Sequence, residues 1–133
     1  MIAPLLDTHT WVWWIIGDPR LHTEHRQALD SLPPDDRPWL ATISLWEVSM
    51  LVDLGRLHLD TPLEEWFAMA AHTRTVRLLA ITPAVATAVA SLPDSFHRDS
   101  ADRIIVATSR VRRVPLLTYD RKIRDSELVV LAP

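Results

Sequence analysis

Apolar positions follow two rhythms along the chain. Short, nearly unbroken apolar runs at residues 2–6, 39–43 and 114–118 end in polar residues, while longer stretches repeat apolar positions every three or four residues. Runs of the first kind read as buried strands and those of the second as amphipathic helices. In order, the pattern predicts a strand over 2–6 and a helix over 8–16, stopped by Gly17 and Asp18-Pro19. A helix from residue 21 or 23 to 32 follows, then a turn at Pro33-Pro34-Asp35-Asp36, a strand over 39–43 and a helix from Ser44 to Gly55. The apolar residues of that helix cover much of its circumference, which predicts that it is mostly buried. The next helix runs from 62 to about 73, with Pro62 at its first position and Glu64 and Glu65 in its first turn. Then come a strand over 76–81, an Ala-rich helix over 83–92, a loop over 93–97 and a long helix over 99–112. A strand over 114–118, a short helical turn after Tyr119-Asp120 and a last strand over 128–131 complete the chain. Strands alternating with helices define an α/β fold with a mainly parallel sheet.

Composition narrows the class. The 133 residues suit one domain spanning 1–133 and suffice to bury a core. There is no cysteine, so neither disulfides nor thiolate metal sites are available. No run approaches the roughly 18 to 20 apolar residues of a membrane span, and Asp7 cuts the first apolar run too short for a signal peptide. The expectation is a soluble, cytoplasmic protein. A net charge of −3 excludes a uniformly basic, phosphate-coating surface but leaves room for a local one. Thirteen of the fourteen basic residues are Arg, and Arg110, Arg112 and Arg113 cluster. Arg forks match phosphate oxygens in pairs and equally form ordinary surface ion pairs. Six Trp point to a large aromatic core or a partner interface, with Trp11 and Trp14 on one helix face.

The chemistry lies in five acids at strand ends and helix starts. Asp7 ends the first strand, Glu47 follows the second, Asp99 and Asp102 open the long helix, and Asp120 follows the strand at 114–118. Each has a structural alternative. Asp7 and Asp99 suit N-caps, Ser44-Leu45-Trp46-Glu47 reads as a capping box, Asp102 is favoured by the helix dipole, and Asp120 suits a cap or a pair with Arg121 or Arg124. Jointly they carry more. Parallel strands bring these positions to one sheet edge, where open α/β sheets hold ligands, and gathered carboxylates repel unless a cation lies among them. Hard oxygen donors without Cys or a paired-His motif suit Mg²⁺ or Mn²⁺ over Zn²⁺. The chemistry implied is metal-assisted hydrolysis of a phosphodiester. None of the six His shows ligand spacing; His97 reads as a surface-loop residue, with general acid as the alternative.

Four stretches, LLDTHTWVWW (5–14), ISLWEVSMLVDLGRLHLDTPLEEW (43–66), FHRDSADRIIVATS (96–109) and LLTYDRKI (116–123), together resemble PIN-domain ribonucleases, and more closely the VapC-type toxins of type II toxin–antitoxin pairs. The resemblance implies a PIN-like three-layer sandwich, a mainly parallel central sheet flanked by helices. It also implies that Asp7, Glu47, Asp102 and Asp120 hold Mg²⁺ or Mn²⁺, that Asp99 is the additional acid of the toxin subgroup, that Thr118 is a hydroxyl close to the site, and that Thr8 is placed to order a metal-bound water. Endoribonuclease activity on RNA, a homodimer and a VapB-type antitoxin covering part of the cleft follow by the same resemblance. The chain departs from many relatives at Ser100, where they have Pro, and at Leu51, where they carry Lys. The second departure removes a phosphate ligand and leaves Arg98, Arg103 and Arg121 as substitutes. A phosphoacceptor receiver domain is a rival of similar size, but it needs a Lys at the end of a late strand, and Lys122 lies beyond Asp120. A non-catalytic PIN-like module binding protein or RNA is the other, and the presence of all five acids counts against it.

Overall fold

The structure, a computed structural model, describes residues 1–133. It contains, in order, β1 (Leu5–Leu6), α1 (Thr8–Ile16), α2 (Thr23–Asp30), β2 (Trp39–Ala41), α3 (Ile43–Asp53), α4 (Leu63–Ala70), β3 (Arg77–Leu79), α5 (Pro83–Ala90), α6 (Ser100–Arg112), β4 (Leu116–Leu117) and α7 (Arg121–Arg124). The strands form one sheet in the order β3-β2-β1-β4, and every pairing is parallel. Leu5 and Leu6 lie beside Trp39 and Leu40 on one side and beside Leu116 and Leu117 on the other.

Strand alternation sorts these residues into two cores. Leu6, Leu40 and Leu117 pack with Trp11, Trp14, Val48 and Trp66, whereas Leu5, Ala41, Leu79 and Leu116 pack with Ile105, Val106 and Ile123. The sheet is thus the middle layer between two sets of helices, the sandwich that the resemblance implies. Trp11 anchors the first core. It is wholly buried, meets Trp66 edge-on at 5.1 Å, and donates its indole N–H to the Ala70 carbonyl at 2.9 Å. Trp13 instead stays half-buried, under the Arg20 guanidinium at 4.9 Å.

The strand order reverses between β1 and β4, so the crevice at their carboxyl ends is the topological switch point where such sheets bind ligands. Gly17 ends α1 in the left-handed conformation (φ 73°) and donates its N–H to the Trp13 carbonyl. That backbone shape suits glycine alone without strain.

Three expectations need correction. The helix expected at 44–55 is not mostly buried: it starts at Ile43 after Thr42, and only Ser44, Glu47 and Val48 are fully buried while Trp46 and Leu54 are exposed. A helix in an outer layer covers only the stripe that faces the sheet, however apolar the rest of it is. The strand expected at 128–131 reduces to one parallel bridge between Leu116 and Leu131. Glu127 enters it with φ 59°, and Val130 remains 74% exposed, so the segment touches β4 without extending along it. Pro62 caps α4 from outside instead of occupying its first position. The remaining strands and helices stand where expected, most of them a few residues shorter.

Candidate metal centre

The carboxyl edge of the sheet opens on a cleft of about 650 Å³ lined by Asp7, His9, Glu47, His97, Arg98, Asp99, Asp102, Asp120, Arg121 and Lys122, with no apolar residue. All five sequence-predicted acids meet here. A larger groove of about 1030 Å³ lies at the opposite edge, where Ile2, Val114 and Pro115 precede their strands, but Glu24 is its one carboxylate.

Asp7 leaves β1 and caps α1: Oδ1 accepts the Thr10 N–H at 2.8 Å and Oδ2 accepts the Thr118 hydroxyl. The same Thr118 oxygen accepts the Asp120 N–H at 3.1 Å. One buried hydroxyl therefore ties the ends of β1 and β4 together across the switch point. Asp120 caps α7 through Ile123 N–H at 3.1 Å, and Asp99 caps α6 through Asp102 N–H at 2.9 Å. Each cap uses one carboxylate oxygen.

Glu47 lies differently from its expected place in a capping box. Because α3 begins at Ile43, Glu47 sits in the second turn, and the Ser44 hydroxyl pairs with Thr8 at 2.8 Å instead of capping. Glu47 is 8% exposed, and burial pushes its carboxyl above the ordinary range, with Asp99 and Asp7 adding to the shift and a hydrogen bond from Thr8 opposing it. Asp102, unpaired by any Arg or Lys, is pushed up to about 8 by burial first and then by Asp99, Asp120, Glu47 and Asp7. Two carboxyls raised by burial and by the acids around them belong to a set of five hard oxygen donors short of positive charge, which fits a divalent cation.

The other expected site residues divide. Arg98 and Arg121 are exposed at the rim with Lys122. Thr8 and Thr118 are buried beneath the acids, where the Thr118 hydroxyl fixes Asp7 and the Thr8 hydroxyl pairs with Ser44. Arg103, expected to replace the missing Lys as a phosphate ligand, is turned inward: it is 7% exposed and donates to the Phe96 and His97 carbonyls at 3.2 and 3.3 Å. An inward guanidinium here holds the loop before α6. His97 is likewise no surface-loop residue. Its side chain is 18% exposed, its Nε2 lies 3.2 Å from Asp102 Oδ2, and one donor atom each from His97, Asp102 and Asp120 fall within 4.8 Å of one another. Its spacing, two residues before Asp99 and five before Asp102, was the available signal. His9 and Ser44 were missed too, since only the folded chain brings α1 against α3.

Comparison with known proteins agrees with this architecture. Residues 5–127 match the PIN domain family. The chain is 38% identical over 126 residues to Ribonuclease VapC22 of Mycobacterium tuberculosis, covering 94% of this chain and 92% of that protein. Among solved structures, it resembles DNA-bound VapBC from Salmonella typhimurium (TM-score 0.71, 17% identity, 99% of this chain and 98% of that one). It also resembles M. tuberculosis VapC20, a sarcin-ricin loop cleaving toxin (TM-score 0.65, 20% identity, 97% and 98% of the two chains). At those identities the structures speak for the fold, whereas the domain match and the 38% relative speak for descent. With its acids gathered at the switch point of a three-layer parallel sheet, the chain belongs to the PIN-domain family, among the VapC-type ribonucleases.

Proposed function

We propose that this chain is the toxin of a type II toxin–antitoxin pair, a divalent-metal-dependent endoribonuclease acting through Asp7, Glu47, Asp99, Asp102 and Asp120. The observation that carries the reading is the convergence of five carboxylates from four chain segments in a cleft without apolar lining. Asp7, Glu47, Asp102 and Asp120 hold the cation, Mg²⁺ or Mn²⁺. When bound, it supplies a lowered pKa for water and stabilisation for the departing oxygen of the phosphodiester.

The chain's own residues set the geometry. Asp7 is fixed at both oxygens, by Thr10 N–H and the Thr118 hydroxyl, so it is aimed before substrate arrives. Asp99 keeps α6 starting where Asp102 faces the cleft. The buried hydroxyls near the acids are engaged, Thr8 with Ser44 and Thr118 with Asp7, which leaves water as the nucleophile. Arg98, Arg121 and Lys122 at the rim suit RNA phosphates on either side of the bond, with affinity that falls as salt rises. The kinship with VapC22 and the fold shared with VapBC complexes support a VapB-type antitoxin partner, and the homodimer is proposed on the sequence resemblance alone. No helix is long and apolar enough to cross a membrane, and an RNA substrate suits a cytoplasmic location.

Purified, antitoxin-free protein incubated with structured and single-stranded RNAs in Mg²⁺, Mn²⁺ or excess EDTA tests the reading, with Asp7→Asn alongside. Cutting is expected with either ion, and background alone with EDTA or the variant. Cutting that survives EDTA, or a folded Asp7→Asn protein at wild-type rate, overturns it. A folded protein that binds RNA without cutting any would point to the non-catalytic module.

A further inference from the structure

His97 brings a nitrogen donor in among the carboxylates. Its Nε2 is closed to water and makes no hydrogen bond, although Asp102 Oδ2 is only 3.2 Å away. An imidazole nitrogen shielded from water, 3.2 Å from a carboxylate oxygen and not hydrogen-bonded to it, stands where two donors would face a shared cation. Ligands bound at about 2.1 Å around an octahedral ion lie about 3 Å apart when adjacent and about 4.2 Å apart when opposite. The His97, Asp102 and Asp120 donor atoms, all within 4.8 Å of one another, are close to that spacing.

The imidazole is also held in place. Arg103, buried under the loop, donates to the carbonyls of Phe96 and His97, and the His97 ring stands edge-on to Phe96 at 4.7 Å and 89°. A buried guanidinium spent on two loop carbonyls fixes the path that delivers the ring to Asp102.

We propose that His97 is a nitrogen ligand of the cation, alongside Asp102 and Asp120, and that it biases the centre toward a first-row transition metal such as Mn²⁺ over Mg²⁺. The proposal rests on the metal-dependent reading of the same cleft given above. Mg²⁺ prefers oxygen ligands and gives up its waters reluctantly, whereas transition ions gain more from imidazole. His97 then selects the metal that the acids alone would share between the two ions.

The test is electron spin-echo spectroscopy of Mn²⁺ bound to tag-free protein in a nitrogen-free buffer, with Mn²⁺ and Mg²⁺ affinities measured by calorimetry. Wild type is expected to show ¹⁴N modulation of the Mn²⁺ signal, lost in His97→Gln and retained in His9→Gln. In His97→Gln, Mn²⁺ affinity should fall by about tenfold or more, the range seen even for residues behind a ligand, and Mg²⁺ affinity by a smaller factor. Bound Mn²⁺ without ¹⁴N modulation in wild type overturns the assignment without recourse to any variant. Modulation that persists in His97→Gln and vanishes in His9→Gln transfers the role to His9 and overturns it as well. Failure of wild type to bind Mn²⁺ at all removes the metal reading of the cleft together with this one.

Discussion

Asp102→Asn should stabilise the metal-free protein, by an amount that grows with pH. The Asp102 carboxyl is pushed up from 3.8 to about 8, so between those values the folded protein holds a proton that the unfolded chain has released. Stability must then fall as pH rises through that window, and the whole cost is present above pH 8. At ~1.4 kcal/mol per pH interval the ceiling is about 6 kcal/mol. Water reaches the carboxylate, whose side chain is 21% exposed, and screening reduces the ceiling to on the order of 2–3 kcal/mol. Asn keeps the volume and the backbone N–H given to Asp99, so the cap of α6 is untouched. For a chain of this size 1 kcal/mol moves Tm by roughly 3–4 °C. One proton changes stability by ~1.4 kcal/mol per pH unit, so an effect of this size is complete within about two units above 3.8: in EDTA the variant should melt about 8 °C above wild type at pH 8.5 and about 2 °C above it at pH 4. Saturating Mn²⁺ should reverse the order, because a ligand at a thousand times its Kd adds about 4.1 kcal/mol to wild type and the variant has lost a metal-site acid. Thermal melts at the two pH values, with and without metal, decide it. A variant less stable than wild type in EDTA at both pH values would mean that Asp102 is a structural residue, and the electrostatic reasoning would be wrong.

Two further outcomes follow from single contacts. Thr118→Val removes the buried hydroxyl that serves both Asp7 and the Asp120 N–H; urea melts should show a loss of about 1–3 kcal/mol, and RNA cleavage should fall further than stability alone explains. Gly17→Ala meets no atom within 4 Å but must adopt φ 73°, so it should cost about 1–2 kcal/mol with cleavage at 25 °C unchanged.

The acids were legible in the sequence because their positions follow from local rules: a carboxylate directly after an apolar run lands at a strand's carboxyl end, and parallel order does the rest. Glu47 was found for a reason that failed in detail. The N-cap is Thr42 where a capping box with Glu47 requires Ser44, so Ser44 lies inside the helix and reaches Thr8, 36 residues away, instead of capping. His97 and Arg103 were read the wrong way round, the one as surface and the other as a phosphate ligand. Their directions depend on the loop at 93–97, whose course is fixed by a long side chain reaching backward from α6, and no periodicity records that. The last segment misled for a similar reason: apolar residues at 128–131 promise a strand, and the left-handed Glu127 limits it to one bridge.

The capping and chemical readings of the acids are therefore not alternatives. Asp7, Asp99 and Asp120 each cap a helix that begins at the same sheet edge, and in each the cap engages one oxygen. Capping fixes the carboxylate's torsions by bonds to backbone that the fold must make in any case, so the aim of the set is built into the starts of three helices. The two acids that cap nothing, Glu47 and Asp102, are the two whose carboxyls are raised above their ordinary range. They lack the backbone N–H that would sustain their charge, and it is at these two that a bound cation relieves the most repulsion. The division predicts where loss of metal is felt: the caps keep their positions, while Glu47 and Asp102 take up protons.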